Sequence, residues 1–217
     1  SFTTLTARVA VLDRPDVDTD QIIPKQFLKR ITRTGYADAL FHDWRYDAEV
    51  EPSPGFELDR PEFAGARVLL AGRNFGCGSS REHAAWALSD FGFEVVIAAS
   101  FGDIFRTNAS KNGMVIVELP EDDVKKLMES VNLDTGSEVT VDLERQVGVT
   151  PDGREVPFTI DPSTRHRLLE GLDEETRALL EPLTQVRGAD TRLLNVFGTL
   201  GNHPELLRHW LVFAGYL

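Results

Sequence analysis

Residues 66–118 repeat one pattern: a short apolar run, a turn rich in glycine or small residues, a stretch with helical spacing, and another apolar run. ARVLLAG leads through RNFGCG into SSREHAAWALSDFG and then FEVVIAAS, after which FGDIFRTNASKNG and MVIVELP repeat the helix and the strand. Strand, turn, helix, strand predicts βαβ units with parallel strands, which commits the chain to an α/β core. Upstream, LTARVAVL (residues 5–12) reads as a strand. The following DRPDVDTDQIIP, in which Pro15 and Pro24 bracket Asp16, Asp18 and Asp20, reads as a structured loop rather than a helix. Downstream, EDDVKKLMESV predicts a helix, and SEVTVDL and REVPFTI predict a β-hairpin joined across Pro151-Asp152-Gly153.

Beyond Asp161 the spacing is helical almost to the end, for example at Leu193, Leu194, Phe197 and Leu200. Composition shifts near Leu172, so the expected organisation is an α/β domain over residues 1–172 and an all-helical extension over 173–217.

The formal charge is −12. Such a surface repels phosphate backbones and anionic lipid, which argues against nucleic-acid or membrane-surface binding. No apolar run approaches the roughly 18 residues of a membrane span, and the first residues lack the basic and apolar regions of a signal peptide. A cytoplasmic location is therefore expected. A single cysteine leaves no internal disulfide and no C-x-x-C motif, and the five histidines form no metal-binding motif. A metal centre in this system would have to be held mostly by another chain. Against the acidic background, KQFLKRITRTG concentrates Lys25, Lys29, Arg30 and Arg33.

The densest chemistry lies in AGRNFGCGSSREHA, residues 71–84. Ser79 and Glu82 match a capping box, so Ser79 is expected either as the N-cap of the following helix or as a functional hydroxyl. Gly76 and Gly78 allow close backbone approach. A helix N-terminus after a strand offers free N–H groups to an anion, and Arg81 adds a planar fork suited to a carboxylate or phosphate. The run is neither a P-loop nor a G-x-G-x-x-G turn, so the expected ligand is a small anion rather than a nucleotide. Cys77 reads either as a nucleophile favoured by the helix end or as a small residue filling a tight turn.

GRNFGCGSSREHAAWAL, VDTDQIIPKQFLKRI, the HDWRY after it and SFGDIFRTNASKNG, in that order, closely resemble the small-subunit family of 3-isopropylmalate dehydratase, the isopropylmalate isomerase of leucine biosynthesis. That family corresponds to the swivel domain of aconitase, and the resemblance runs from about residue 3 to about residue 172. It implies half of a two-chain hydro-lyase that dehydrates 2-isopropylmalate and rehydrates the alkene diacid on the neighbouring carbon. A [4Fe-4S] cluster would be held by the large subunit, with none bound by this chain, and the lone cysteine agrees with that division.

By match to the family motif, Ser79 would be the base, Arg81 a substrate-binding arginine and Ser80 a hydroxyl donor beside it. Asp20 would orient the base or a carboxylate-binding group. Asp18 belongs to the same motif, with turn capping as the alternative. Leu28, Lys29 and Arg30 fall where the family's substrate-selecting loop lies. There Leu28 would touch the isopropyl group and Lys29 or Arg30 a carboxylate, unless the loop is simply solvated.

The segment after residue 172 departs from that family. It resembles the N-terminal helices of carboxymuconolactone decarboxylase-like proteins through its LNVF…HPELLRHW pattern. It contains no cysteine, and neither decarboxylase nor peroxidase activity is inferred from it. Two further readings stay open at this level: a subunit of a related hydratase acting on citraconate or a homoaconitate-type diacid, and a non-catalytic anion-binding or oligomerisation module.

Overall fold

A computed structural model describes residues 2–170, apart from 31, 33, 47, 48, 50–52 and 54. The expected boundary near 172 and the helical extension lie outside these described residues. The mixed α/β fold is organised around β1 (Thr4–Leu12), whose two halves do different work. Thr4–Arg8 pair antiparallel with β5 (Glu138–Asp142), whereas Val9–Leu12 pair parallel with β2 (Val68–Ala71). Burial follows the pairing. The first half alternates exposed and buried, and the last four residues are all buried, as expected for a half-solvated antiparallel ladder that passes into a parallel sheet covered on both faces.

On the parallel side, β2 pairs with β3 (Val95–Ala98) and β3 with β4 (Val115–Glu118). The intervening helices are α3 (Glu82–Phe91) and α4 (Asp103–Lys111), in the βαβ arrangement that the sequence predicts. The continuous apolar runs VLLA, VVIA and VIV supply the buried centre of this sheet. Gly92 closes α3 in the left-handed region (φ 118°), where the sequence pattern places the helix end. Helix α5 (Glu121–Leu133) then returns the chain to β5.

Two expectations need correcting. SEVTVDL and REVPFTI are not direct partners, because β6 (Val147–Val149) lies between β5 and β7 (Glu155–Pro157), and the turn containing Asp152-Gly153 joins β6 to β7. A three-residue strand with Gly148 at its centre carries almost no strand signal. Secondly, the aspartate-rich segment is not all loop. Thr19–Ile22 form one helical turn, α1, closed by a capping box. Gln21 N donates to Asp18 Oδ1 at 2.8 Å, and Asp18 N donates to Gln21 Oε1 at 2.9 Å.

A second one-turn helix, α2 (His42–Arg45), packs Trp44 against Phe41 and beneath Arg14, whose guanidinium lies 4.3 Å from the indole centre. Helix α6 (Pro162–Glu170) ends the described chain, and its Leu168 carbonyl accepts from Phe2 N. No helix among the described residues is long and apolar enough to cross a membrane.

Candidate functional site

The first two βα turns, after β2 and β3, meet at backbone level. Gly76 adopts φ 72°, and a Cβ there would overlap the Phe105 ring of α4. Gly102, which caps α4, passes so close that its own Cβ would overlap the Gly76 carbonyl. Neither position has room for a side chain, which fixes how the two turns stack.

A second segment zips onto the first turn. Asp16 N donates to Arg73 O (2.9 Å), Gly76 N to Val17 O (2.7 Å) and Thr19 N to Cys77 O (2.9 Å), with Asp18 and Cys77 forming a parallel bridge. The Thr19 hydroxyl extends the ladder by donating to Ser79 O at 2.8 Å.

This pairing overturns the expected cap. Bridged to Asp18 at Cys77 and tied to Thr19 through the Ser79 carbonyl, the chain bends at Gly78 (φ 93°) and Ser79 and is extended at Arg81 (φ −142°, ψ 105°). Arg81 is thus the N-cap of α3, without a side-chain cap bond. Ser79 is exposed, and its hydroxyl makes no hydrogen bond among the described residues. The capping box belongs instead to Asp18 and Gln21, so Asp18 takes the capping role that competed with substrate contact.

The other candidates converge to different degrees. Ser80, also exposed, accepts a long hydrogen bond (3.4 Å) from Nδ2 of buried Asn108 on α4. Arg81 is buried, with 8% of its side chain exposed. Its guanidinium bonds Asp20 Oδ1 at 2.5 Å and the Ile23 carbonyl at 3.1 Å. Asp20 is nearly half exposed, so the pair joins a fixed cation to a carboxylate at the surface.

The loop that starts at Ile23 continues into a 3-10 turn, Lys25–Lys29. Leu28 there is half-buried, and Lys29 is exposed with no ion pair among the described residues. Arg30 is committed elsewhere. It grips Asp38 through two 2.8 Å bonds and also donates to Gly35 O, and this pairing raises the arginine pKa and lowers that of Asp38. Lys29 is consequently the freer cation of the two.

Cys77 is a poor nucleophile here. Burial pushes its thiol pKa up, and Asp18 and Asp16 push it further the same way. His83 packs between Tyr36 and Trp86, with ring centres 5.5 and 4.6 Å away. Burial lowers its pKa.

Among the described residues no group of three or more His, Cys, Asp or Glu side chains could hold a metal ion. With a single thiol whose deprotonation is disfavoured, this donor set does not fit an iron–sulfur cluster.

The sequence did not flag Thr19, and Asn108 received no chemical role from it. DTDQ does carry a legible D-x-x-Q capping box, which places Thr19 in the first turn, but no local pattern shows what its hydroxyl reaches.

The profile of the aconitase C-terminal domain family matches residues 1–122, and the LeuD_N profile matches residues 125–162. The 3-isopropylmalate dehydratase small subunit of Bacillus subtilis is 53% identical over 175 residues, covering 81% of this chain and 87% of that protein. The chain belongs to the 3-isopropylmalate dehydratase small-subunit family. Its counterpart from Acidobacterium capsulatum is 55% identical over 173 residues, covering 80% of this chain and 81% of its own. The crystal structure of 3-isopropylmalate dehydratase from Methanocaldococcus jannaschii superposes with a TM-score of 0.60 at 26% identity, covering 83% of this chain and 99% of that one. Membership makes this chain a hydro-lyase component of the aconitase family.

Proposed function

We propose that this chain is the small subunit of a cytoplasmic two-chain hydro-lyase of leucine biosynthesis, interconverting 2-isopropylmalate and 3-isopropylmalate by dehydration and rehydration. The observation that carries this reading is an exposed Ser79 hydroxyl, unbonded among the described residues, two residues from a buried arginine whose orientation Asp20 fixes. The family relationship supports the choice of substrate. The [4Fe-4S] cluster belongs to the large subunit in this reading, because the residues here do not fit it.

What remains for this chain is to bind the dianion and manage one proton. Removing a proton from carbon beside a carboxylate needs a base. A serine hydroxyl is far too weakly acidic to stand as an alkoxide near neutral pH without help. That help comes from the N–H groups of Glu82 and His83 at the start of α3, which have no partner among the described residues, and from the Arg81 guanidinium, donors that precede the development of charge. Arg81 and Lys29 offer cationic contacts for the carboxylates, Ser80 offers a hydroxyl, and Leu28 offers an apolar contact for the isopropyl group. The Arg30–Asp38 pair shapes the loop instead of contacting substrate. An acidic surface overall makes this local cationic set the place where a small dianion is held.

The test mixes the chain with the cluster-reconstituted large subunit of an isopropylmalate isomerase and follows the ultraviolet absorbance of the unsaturated diacid. Wild type is expected to turn over, whereas Ser79→Ala is expected to assemble equally well and lose turnover. An assembled but inactive wild type overturns the reading. Citraconate and a homoaconitate-type diacid belong in the same assay, since discrimination by one or two methylenes is worth only about 1–3 kcal/mol.

A further inference from the structure

We infer that Thr19 is a positioning residue whose buried hydroxyl aims the Ser79–Ser80 peptide for catalysis, an inference that rests on the reading of Ser79 as the base. Thr19 is 2% exposed, and its hydroxyl donates to the Ser79 carbonyl at 2.8 Å. In a trans peptide the carbonyl and the following N–H point in opposite directions. Tethering the Ser79 oxygen to Thr19 therefore turns the Ser80 N–H away from the threonine. That N–H has no acceptor among the described residues. The same bond limits rotation of the backbone that carries the Ser79 side chain, which sits exposed at a bend, its hydroxyl making no hydrogen bond among the described residues.

The tether is itself braced. Thr19 is the first residue of α1, inside the reciprocal Asp18–Gln21 capping box, and its N–H is bonded to Cys77 O. A β-branched side chain has few χ1 options, so the fixed backbone leaves the hydroxyl aimed at Ser79. On the far side Asn108 reaches Ser80, so the serine pair is gripped from two elements. The capping aspartate, the threonine and the Asp20 that holds Arg81 are consecutive residues. One short helical turn thus sets both the base and its cationic neighbour.

Thr19→Val keeps the shape and removes the donor, whereas Thr19→Ser keeps the donor and loses a methyl. In the assembled two-chain enzyme, Thr19→Val is expected to lower kcat about tenfold or more, as misaligned reacting groups do. The shift in KM should stay within about threefold, because ground-state binding is little touched. Its rising limb of kcat against pH should move to higher pH, since a less well aligned set of donors stabilises the alkoxide less. Thr19→Ser should stay close to wild type in both. In the isolated chain, the Ser79 carbonyl-carbon resonance should shift in Thr19→Val and stay in place in Thr19→Ser.

Thermal unfolding checks that each variant is folded. Should the valine variant not fold, Thr19→Ala against Thr19→Ser makes the same comparison. Wild-type kcat in a folded, assembled Thr19→Val enzyme overturns the inference. So does an equal loss in Thr19→Ser, which would assign the effect to the methyl group. An inactive wild type, or an active Ser79→Ala, instead overturns the underlying reading of Ser79.

Discussion

Arg81 is the residue whose environment is most demanding. Its guanidinium is almost wholly buried, and one carboxylate and one carbonyl answer its charge. Asp20→Asn keeps the shape and a hydrogen-bond acceptor but removes the negative charge, leaving a buried cation underneutralised. The expected cost is about 1–3 kcal/mol of stability, read from urea unfolding. The reconstituted enzyme should also lose about tenfold or more in kcat/KM, as expected if the proposed carboxylate-binding role of Arg81 depends on its orientation. Of the residues carried over from the family motif, Arg81 and Asp20 meet in space, Asp18 is occupied in capping, and Arg30 is bound to Asp38. The sequence supplies the residue types, whereas the distances decide which of them remain free for a ligand.

At the scale of elements, the site depends on two βα turns that lie in contact. Gly102→Ala introduces a methyl that would collide with the Gly76 carbonyl, and the clash is with backbone, which cannot rotate away as a long side chain can. We expect at least about 1–3 kcal/mol of destabilisation from this overpacking, seen as a lower thermal midpoint, together with loss of activity because the collision displaces the turn that carries Ser79. The βαβ rhythm was legible because apolar periodicity is a local property, and so was the end of α3 at Gly92. The start of α3 was not. S-x-x-E predicts a cap at Ser79, but bonds to residues 16–19 hold the turn through Ser79 out of the helix, which starts only after Arg81. Hydrogen bonds to a distant segment outweighed a local capping preference worth about 1 kcal/mol.

For the whole molecule, His83 links stability to pH. It sits on α3 against Tyr36, which is fully buried and ties the 30–36 loop to that helix through Asp90. Burial holds the native imidazole below its ordinary pKa of 6.5, with Arg81 acting in the same direction and Glu82 opposing it. The unfolded chain therefore takes up a proton that the native state resists. Stability should fall as pH drops below about 6.5 and level off once the native imidazole is also protonated. Urea unfolding of wild type and His83→Gln, compared one pH unit on either side of about 6.5, should show a shallower decline in the variant. The chain determined by itself its α/β class and its family, because these reside in local periodicity and in motif order. Tertiary structure alone decided that the Ser79 hydroxyl is unbonded among the described residues, that Arg81 is buried on Asp20, and that Thr19 grips a carbonyl sixty residues away. Those outcomes depend on which segments the sheet brings side by side, and no local spacing encodes a hydrogen bond between them.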